Sequence, residues 1–190
     1  MTKYFFCDTE TTGTDTQRSG LIQLAAIILY EEDGALVEKE TIDFRAQPFE
    51  SDIVDEAALL VNKTSAEIIK TYPEPQLTHK ALLRTLKKYV DKYARNDKFL
   101  FCGYNARFDF EMLQNFFKKV GDKYFGSWFF FPPIDVMNLA IFHFRHERVS
   151  MPNFQLKTVA EHIHLQVEQE SLHTALSDIR LTVELFKGLM

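Results

Sequence analysis

Residues 4–13 read YFFCDTETTG. Four apolar residues run straight into Asp8, Thr9 and Glu10, and Thr12-Gly13 supplies a stop. An apolar run of this length bounded by a turn signal reads as a buried strand. Side chains alternate faces along a strand, so Asp8 and Glu10 point the same way. Two carboxylates held that close repel one another unless something neutralises them. For the tripeptide alone, a strand end open to water accounts for the pair. The alternative is a hard-cation site, because carboxylate oxygens suit Mg²⁺ or Mn²⁺. Further acids arriving from elsewhere in the chain would decide between the two.

The flanking sequence predicts where that strand sits. Leu21–Tyr30 (LIQLAAIILY) is a longer apolar run, Glu31–Gly34 (EEDG) a hairpin turn with Asp33-Gly34 as its central pair, and Leu36–Phe44 the returning strand. Three strands this closely spaced predict an antiparallel meander. Helices follow at Thr64–Lys70 and at His79–Arg95, where Leu82, Leu86, Tyr89, Val90 and Tyr93 fall on one face. The opposite face of the second helix is lysine- and arginine-rich, which suits a solvated surface or a track for a polyanion. Phe99–Gly103 (FLFCG) reads as a buried strand, and Phe110, Leu113, Phe117 and Val120 mark the next helix. Ile134–Phe144, with room for a short strand before it, Leu156–Ile163 and Thr174–Leu189 are three more helices. The expected fold is α/β: a mixed five-stranded sheet, three antiparallel strands and then parallel ones, flanked by helices. Sites in such sheets collect at the carboxyl ends of the central strands. Residues 1–190 are expected to form a single domain, since no linker, repeat or low-complexity tract interrupts them.

Two further constellations carry acids. YNARFDF, residues 104–110, follows the fourth strand and opens a helix, placing Asp109 in its first turn, where the helix dipole favours an ionised carboxylate. Helix capping by Asn105 or Asp109 accounts for the motif equally well when it is taken alone. SLHTALSDIRLTVELF, residues 171–186, places His173 just before the last helix and Asp178 one turn inside it. Leu176, Ile179, Val183 and Phe186 form that helix's apolar stripe, and Thr174 caps it.

The three motifs together, D-x-E-x-T-G, N-x-x-x-D and H-x-x-x-x-D in that order, resemble the DEDDh family of 3′→5′ exonucleases. This DnaQ-like group includes the proofreading epsilon subunit of bacterial replicases, ribonuclease T, oligoribonuclease and exodeoxyribonuclease I. Asp8, Glu10, Asp109, His173 and Asp178 match its five catalytic positions, and the His with a four-residue spacer separates it from the related group that uses Tyr. The resemblance implies a ribonuclease H-like fold and two Mg²⁺ or Mn²⁺ ions held by Asp8, Glu10, Asp109 and Asp178. It implies His173 as general base, a role that an imidazole of unperturbed pKa about 6.5 can fill. It also implies substrate contacts from Thr9, Thr11, Thr12, Gly13 and Asn105, with Arg107 placed to meet a phosphate. The expected substrate is the 3′ end of single-stranded nucleic acid, DNA being favoured because FGSWFFFPPIDVMNLA and MPNFQLKTVAEHIHL resemble exodeoxyribonuclease I. RNA 3′-end trimming, polymerase-associated proofreading and a catalytically silent binding module are the alternatives. Neither a polymerase partner nor a homodimer is legible. Two positions depart from the family: Gln23 stands where several members carry Glu, and Tyr104 where many carry His.

Composition is consistent with this reading. The net charge of −5 argues against a broad nucleic-acid clamp, but the four site acids account for most of it and two divalent ions would offset them. Cys7 and Cys102 lie in apolar runs without metal-type spacing, which predicts buried free thiols in a reducing, cytoplasmic setting. No apolar run approaches the ~20 residues of a membrane span, and no signal peptide is evident. His143, His146, His162 and His164 lack a shared ligand frame, so surface histidines are expected rather than a zinc site. The chain holds 18 Phe, and SWFFFPP at 127–133 offers rings for core packing or for stacking on unpaired bases.

Overall fold

The computed structural model describes residues 1–165 and 174–190. The strands are β1 (Lys3–Thr11), β2 (Leu21–Glu32), β3 (Ala35–Arg45), β4 (Phe99–Gly103) and β5 (Phe129–Asp135). They form one sheet in the order β3-β2-β1-β4-β5. β1 pairs antiparallel with β2, and β2 with β3, while β1–β4 and β4–β5 are parallel. This is the expected meander followed by strand–helix alternation. Asp33 and Gly34 make its hairpin turn with φ of +50° and +79°, the two left-handed positions that a two-residue turn matching the strand twist requires.

β1 is the centre of the sheet, and its alternation divides the core. Phe5 and Cys7 face a cluster built with the helices α3 (Pro75–Tyr89) and α4 (Ala106–Lys119). Tyr4 and Phe6 face the other cluster, against α5 (Val136–His143), α6 (Leu156–His162) and α7 (Ala175–Leu189). Phe186 of α7 packs its ring 5.8 Å from Tyr4 and 5.2 Å from Phe6, which seats that helix over the even-numbered face of β1. Most of the aromatic surplus is spent this way. Phe5, Phe99, Phe101 and Trp128 are among the most deeply buried side chains.

Three boundaries differ from the sequence expectation, each for a local reason. The helix expected over His79–Arg95 starts at Pro75, whose missing N–H costs nothing in a first turn, and stops at Tyr89. Val90 is extended, and the Asp91 carboxylate accepts from the Tyr93 N–H at 3.0 Å, so a side-chain turn replaces the next helical turn. Tyr93, expected on the buried stripe, is 86% exposed as a result. The helix expected from Ile134 is strand up to Asp135, whose side chain caps α5 by accepting from Met137 N. The two short helices α1 (Glu56–Val61) and α2 (Ala66–Ile69) fall where only the second was expected, as Thr64–Lys70. Cys7 and Cys102 are buried and free. Among the described residues no helix is long and apolar enough to cross a membrane.

Candidate active site

β1 runs on beyond its pairing with β4, which covers Tyr4–Phe6. Asp8 and Glu10 therefore project from the part of β1 that lies past the carboxyl end of β4, on the face that α7 covers. Gly103 closes β4 against this point. A Cβ added there would lie 2.8 Å from the Cys7 carbonyl oxygen, so a side chain would push β4 and the start of α4 away from Asp8. The chain then turns through Asn105 at φ +61° into α4. The Asn105 side chain does not cap α4, and its backbone N–H donates to Asp135 Oδ1 at 3.0 Å. Asp135 thus ties the β4–α4 turn to the start of α5.

Asp109 reaches back from α4 to β1. Its Oδ1 accepts from the Thr9 backbone N–H at 3.0 Å and from Thr9 Oγ1 at 2.7 Å, and the residue is buried. Thr9 points to the opposite face from Asp8 and Glu10, so Asp109 grips β1 between the two acids. Asp178 comes from the third direction. Thr174 caps α7, accepting from Ser177 N at 3.3 Å, as the sequence predicted, and Asp178 follows one turn later.

The charges of these side chains act on one another. Burial pushes the Asp8 carboxyl well above its usual range, and Asp109, Glu10 and Asp178 add to the effect. Glu10 is raised to about 7 by burial and then by Asp178, with Arg45 opposing. Asp109 is also raised to about 7 by burial, against the two Thr9 hydrogen bonds. Hydrogen bonds to an ionised group contribute ~1.5–3 kcal/mol each. Taking a carboxylate out of water costs several kcal/mol. Burial therefore wins at Asp109 despite both bonds.

Four acids from three separate segments thus share one electrostatic field at the carboxyl end of the central strand. Among the described residues no three His, Cys, Asp or Glu groups already converge on one point in ligating geometry. The donor set is nonetheless all oxygen and strongly anionic, which fits a hard divalent cation and no soft one. Cations would offset the mutual repulsion that holds these pKa values up.

The remaining expected site residues fall into two groups. Thr9, Thr11, Thr12 and Gly13 are buried, and their polar groups are used within the chain. Thr11 Oγ1 donates to the Gly13 carbonyl at 2.7 Å, and Thr12 Oγ1 donates to the Ile53 carbonyl while accepting from Gly20 N. A Cβ on Gly13 would meet Ser19 Oγ at 2.7 Å, so a side chain there would make the Ser19 hydroxyl turn aside. Within the chain, Thr9 positions Asp109 and the other three brace the loop after β1. Arg107 is exposed and pairs with Glu111 at 2.8 Å, one turn along α4. His173 lies outside the described residues. His143 and His146 are exposed, and His162 pairs with Glu147 at 2.8 Å.

Sequence reasoning missed Arg45. The register sets Glu10, Gln23 and Arg45 opposite one another across β1, β2 and β3, on one face. Gln23, where several family members carry Glu, donates to Asp43 at 2.7 Å, and Arg45 reaches Tyr72. Only the pairing of three strands reveals this row; nothing in the spacing of residues 10, 23 and 45 does.

Comparison with known proteins gives the family and the fold. Residues 5–186 match the family described as Exonuclease. Ribonuclease T of Hahella chejuensis is 25% identical over 182 residues, covering 94% of this chain and 79% of that one. The fold superposes on zinc-bound E. coli exonuclease I in complex with single-stranded DNA with a TM-score of 0.74, at 19% identity, over 98% of this chain and 40% of that one. For E. coli exonuclease I in complex with a dT13 oligonucleotide the TM-score is 0.75, again at 19% identity, over 100% and 41%. The chain spans about two fifths of the length of these exonuclease I chains. With the family match extending from Phe5 of β1 to Phe186 of α7, the chain belongs to the Exonuclease family, within the DnaQ-like 3′→5′ exonuclease superfamily.

Proposed function

We infer that the chain removes nucleoside 5′-monophosphates stepwise from the 3′ end of single-stranded nucleic acid, DNA being favoured. The observation that carries this is the gathering of Asp8, Glu10, Asp109 and Asp178, from β1, α4 and α7, into one field, in which the carboxyls of Asp8, Glu10 and Asp109 are raised and Asp178 adds to the effect at Asp8 and Glu10. No structural role calls for such an arrangement, since each acid destabilises the others. The four carboxylates would hold two Mg²⁺ or Mn²⁺ ions, which when bound polarise the scissile phosphate and stabilise both the attacking and the leaving oxygen. Asp8, which feels all three other acids, would be among the residues that hold these ions. Thr9 keeps Asp109 in position. His173, assigned from its place in the motif, takes a proton from the attacking water. The new bond joins water oxygen to phosphorus, the bond from phosphorus to the 3′ oxygen breaks, that oxygen takes a proton from solvent to become the 3′ hydroxyl of the shortened strand, and His173 returns its proton to solvent. Arg107, exposed on the first turn of α4, is available to a substrate phosphate.

The DNA preference draws on the exonuclease I structures, which are complexes with DNA oligonucleotides. The likeness to a ribonuclease T supports RNA as the second reading. Digestion of 5′-labelled DNA and RNA oligonucleotides of the same sequence separates them. Stepwise shortening is expected with Mg²⁺ or Mn²⁺ and none with EDTA, with DNA consumed faster. No metal-dependent shortening of either strand would sink the enzymatic reading, and faster RNA loss would reverse the preference. In the same assay, full-rate release by His173→Ala would remove that residue from the base role.

A further inference from the structure

The SWFFFPP run at 127–133 splits into a buried part and an exposed part. Trp128 and Phe129 are 1% and 2% exposed, but Phe131 is 79% exposed. Its ring lies 5.8 Å from that of Phe110, the residue after Asp109 on α4. Phe131 belongs to β5, the edge strand beside β4. Pro132 and Pro133 deprive this edge of two N–H donors, which makes it a poor template for another strand while leaving it uncovered.

At the far end of β5 the surface turns basic without ceasing to be aromatic. Lys98 Nζ lies 5.6 Å from the Phe130 ring. Lys92 Nζ lies 5.0 Å from the rings of both Tyr93 and Tyr124, which are 86% and 62% exposed. Lys92 and Tyr93 line a cleft of about 530 Å³ whose other walls include Lys87, Lys88 and Trp128. The nearby acids are engaged within the chain: Asp91 accepts from Tyr93 N, and Asp97 pairs with Lys3. β5 runs from this cleft to Asp135, which bonds the Asn105 turn at the catalytic end. At ~3.3 Å per residue its length is about 20 Å.

We propose that the β5 edge is a track for the stretch of single strand lying 5′ of the nucleotide being removed. Bases stack on Phe131 and, farther out, on Tyr93 and Tyr124, while Lys92 and Lys98 meet phosphates. The inference rests on the exonuclease reading and adds to it where the rest of the strand goes. Exposed rings interleaved with lysines are what an unpaired strand recognises, because every base has a face to stack and every linkage a charge. The same pattern explains how a chain of net charge −5 retains a long substrate without a broad basic surface.

The test compares a DNA strand of about 20 nucleotides with a dinucleotide, both digested with Mg²⁺ by the full chain. Phe131→Ala should raise KM for the long strand about fivefold or more, as expected when one stacking platform is lost. Lys92→Ala with Lys98→Ala should reduce the slope of log KM against log salt by about 1.4, at ~0.7 per phosphate contact on a single strand. Both proteins should cleave the dinucleotide within twofold of the unsubstituted rate. Unchanged KM and salt slope on the long strand would overturn the track and leave the surface to a protein partner. Equal losses on both substrates would overturn it too, by placing these residues in the active centre. Failure of the unsubstituted protein to cleave either substrate would overturn the exonuclease reading, and the track with it.

Discussion

Asp8→Asn should lower the rate of nucleotide release about a thousandfold while raising the melting temperature of the metal-free protein. The two effects share one cause. Asp8 sits where burial and three other carboxylates act on it together, and every influence on it raises its pKa. In the metal-free protein its charge is a liability. Asparagine keeps the shape and removes the charge, so the fold loses a repulsive centre. A gain of on the order of 5 °C corresponds to 1–2 kcal/mol for a chain of this size. Activity moves the other way because a cation held by three carboxylates instead of four loses charge and fixed geometry. Such a loss of about 4 kcal/mol of transition-state stabilisation is a factor of a thousand. A release rate within tenfold of the unsubstituted protein would remove Asp8 from the catalytic set. A metal-free variant that melts lower would show that the carboxylates do not repel as argued. The stability gain is what distinguishes this from a merely structural residue, whose replacement lowers both quantities.

The fold was legible because the local signals agreed with the global ones. The apolar run at residues 4–7, the Asp33-Gly34 turn and the Thr174 cap each name their element without reference to anything distant. The signals failed where two readings had the same period. Tyr93 continues the spacing of Leu82 and Leu86, yet the Asp91 side chain ends the helix first, and only the competition between the two settles the boundary. For the site, residue types and order pointed to Asp8, Glu10, Asp109 and Asp178, and the fold sets the other three close enough to act on Asp8. Roles were harder to read. Thr9 lies between the two acids of D-x-E, yet strand alternation turns it to the other face, where it donates to Asp109, a role its place in the motif does not announce. Gly13 and Gly103 look alike in sequence. One faces only the Ser19 hydroxyl, which can turn aside, whereas the other must clear the Cys7 backbone carbonyl, and only the second sets a distance at the site. Arg45 was invisible because its place beside Glu10 depends on the register of three strands.

The metal-free protein should melt at a lower temperature at pH 8 than at pH 6, and saturating Mg²⁺ should reverse the order. Glu10 and Asp109 both titrate at about 7 in the folded chain. In the unfolded chain they titrate near 4.3 and 3.9. Between those limits the folded state binds more protons, so stability falls as pH rises, by at most ~1.4 kcal/mol per pH unit for each group. The penalty is absent below about pH 4 and complete above about pH 7. Asp8 acts in the same direction. His79, whose pKa is lowered by burial, acts oppositely, since the unfolded chain gains its proton first as pH drops. Asp109→Asn should therefore remove that residue's share of the carboxylate contribution and leave those of Glu10, Asp8 and His79. Mg²⁺ competes with protons for the same oxygens, so its effect should be larger at pH 8 than at pH 6. At a hundredfold excess over its dissociation constant each ion adds ~2.7 kcal/mol. For two ions that is about 10 °C or more in a chain of this length. Thermal melts at the two pH values, with EDTA and with Mg²⁺, measure all of this without reference to catalysis. Identical metal-free melting at pH 6 and pH 8, or a larger Mg²⁺ shift at the lower pH, would mean that these acids are not poised for a cation. The catalytic assignment of Asp8, Glu10, Asp109 and Asp178 would then lose its physical basis even if the protein proved to be an exonuclease.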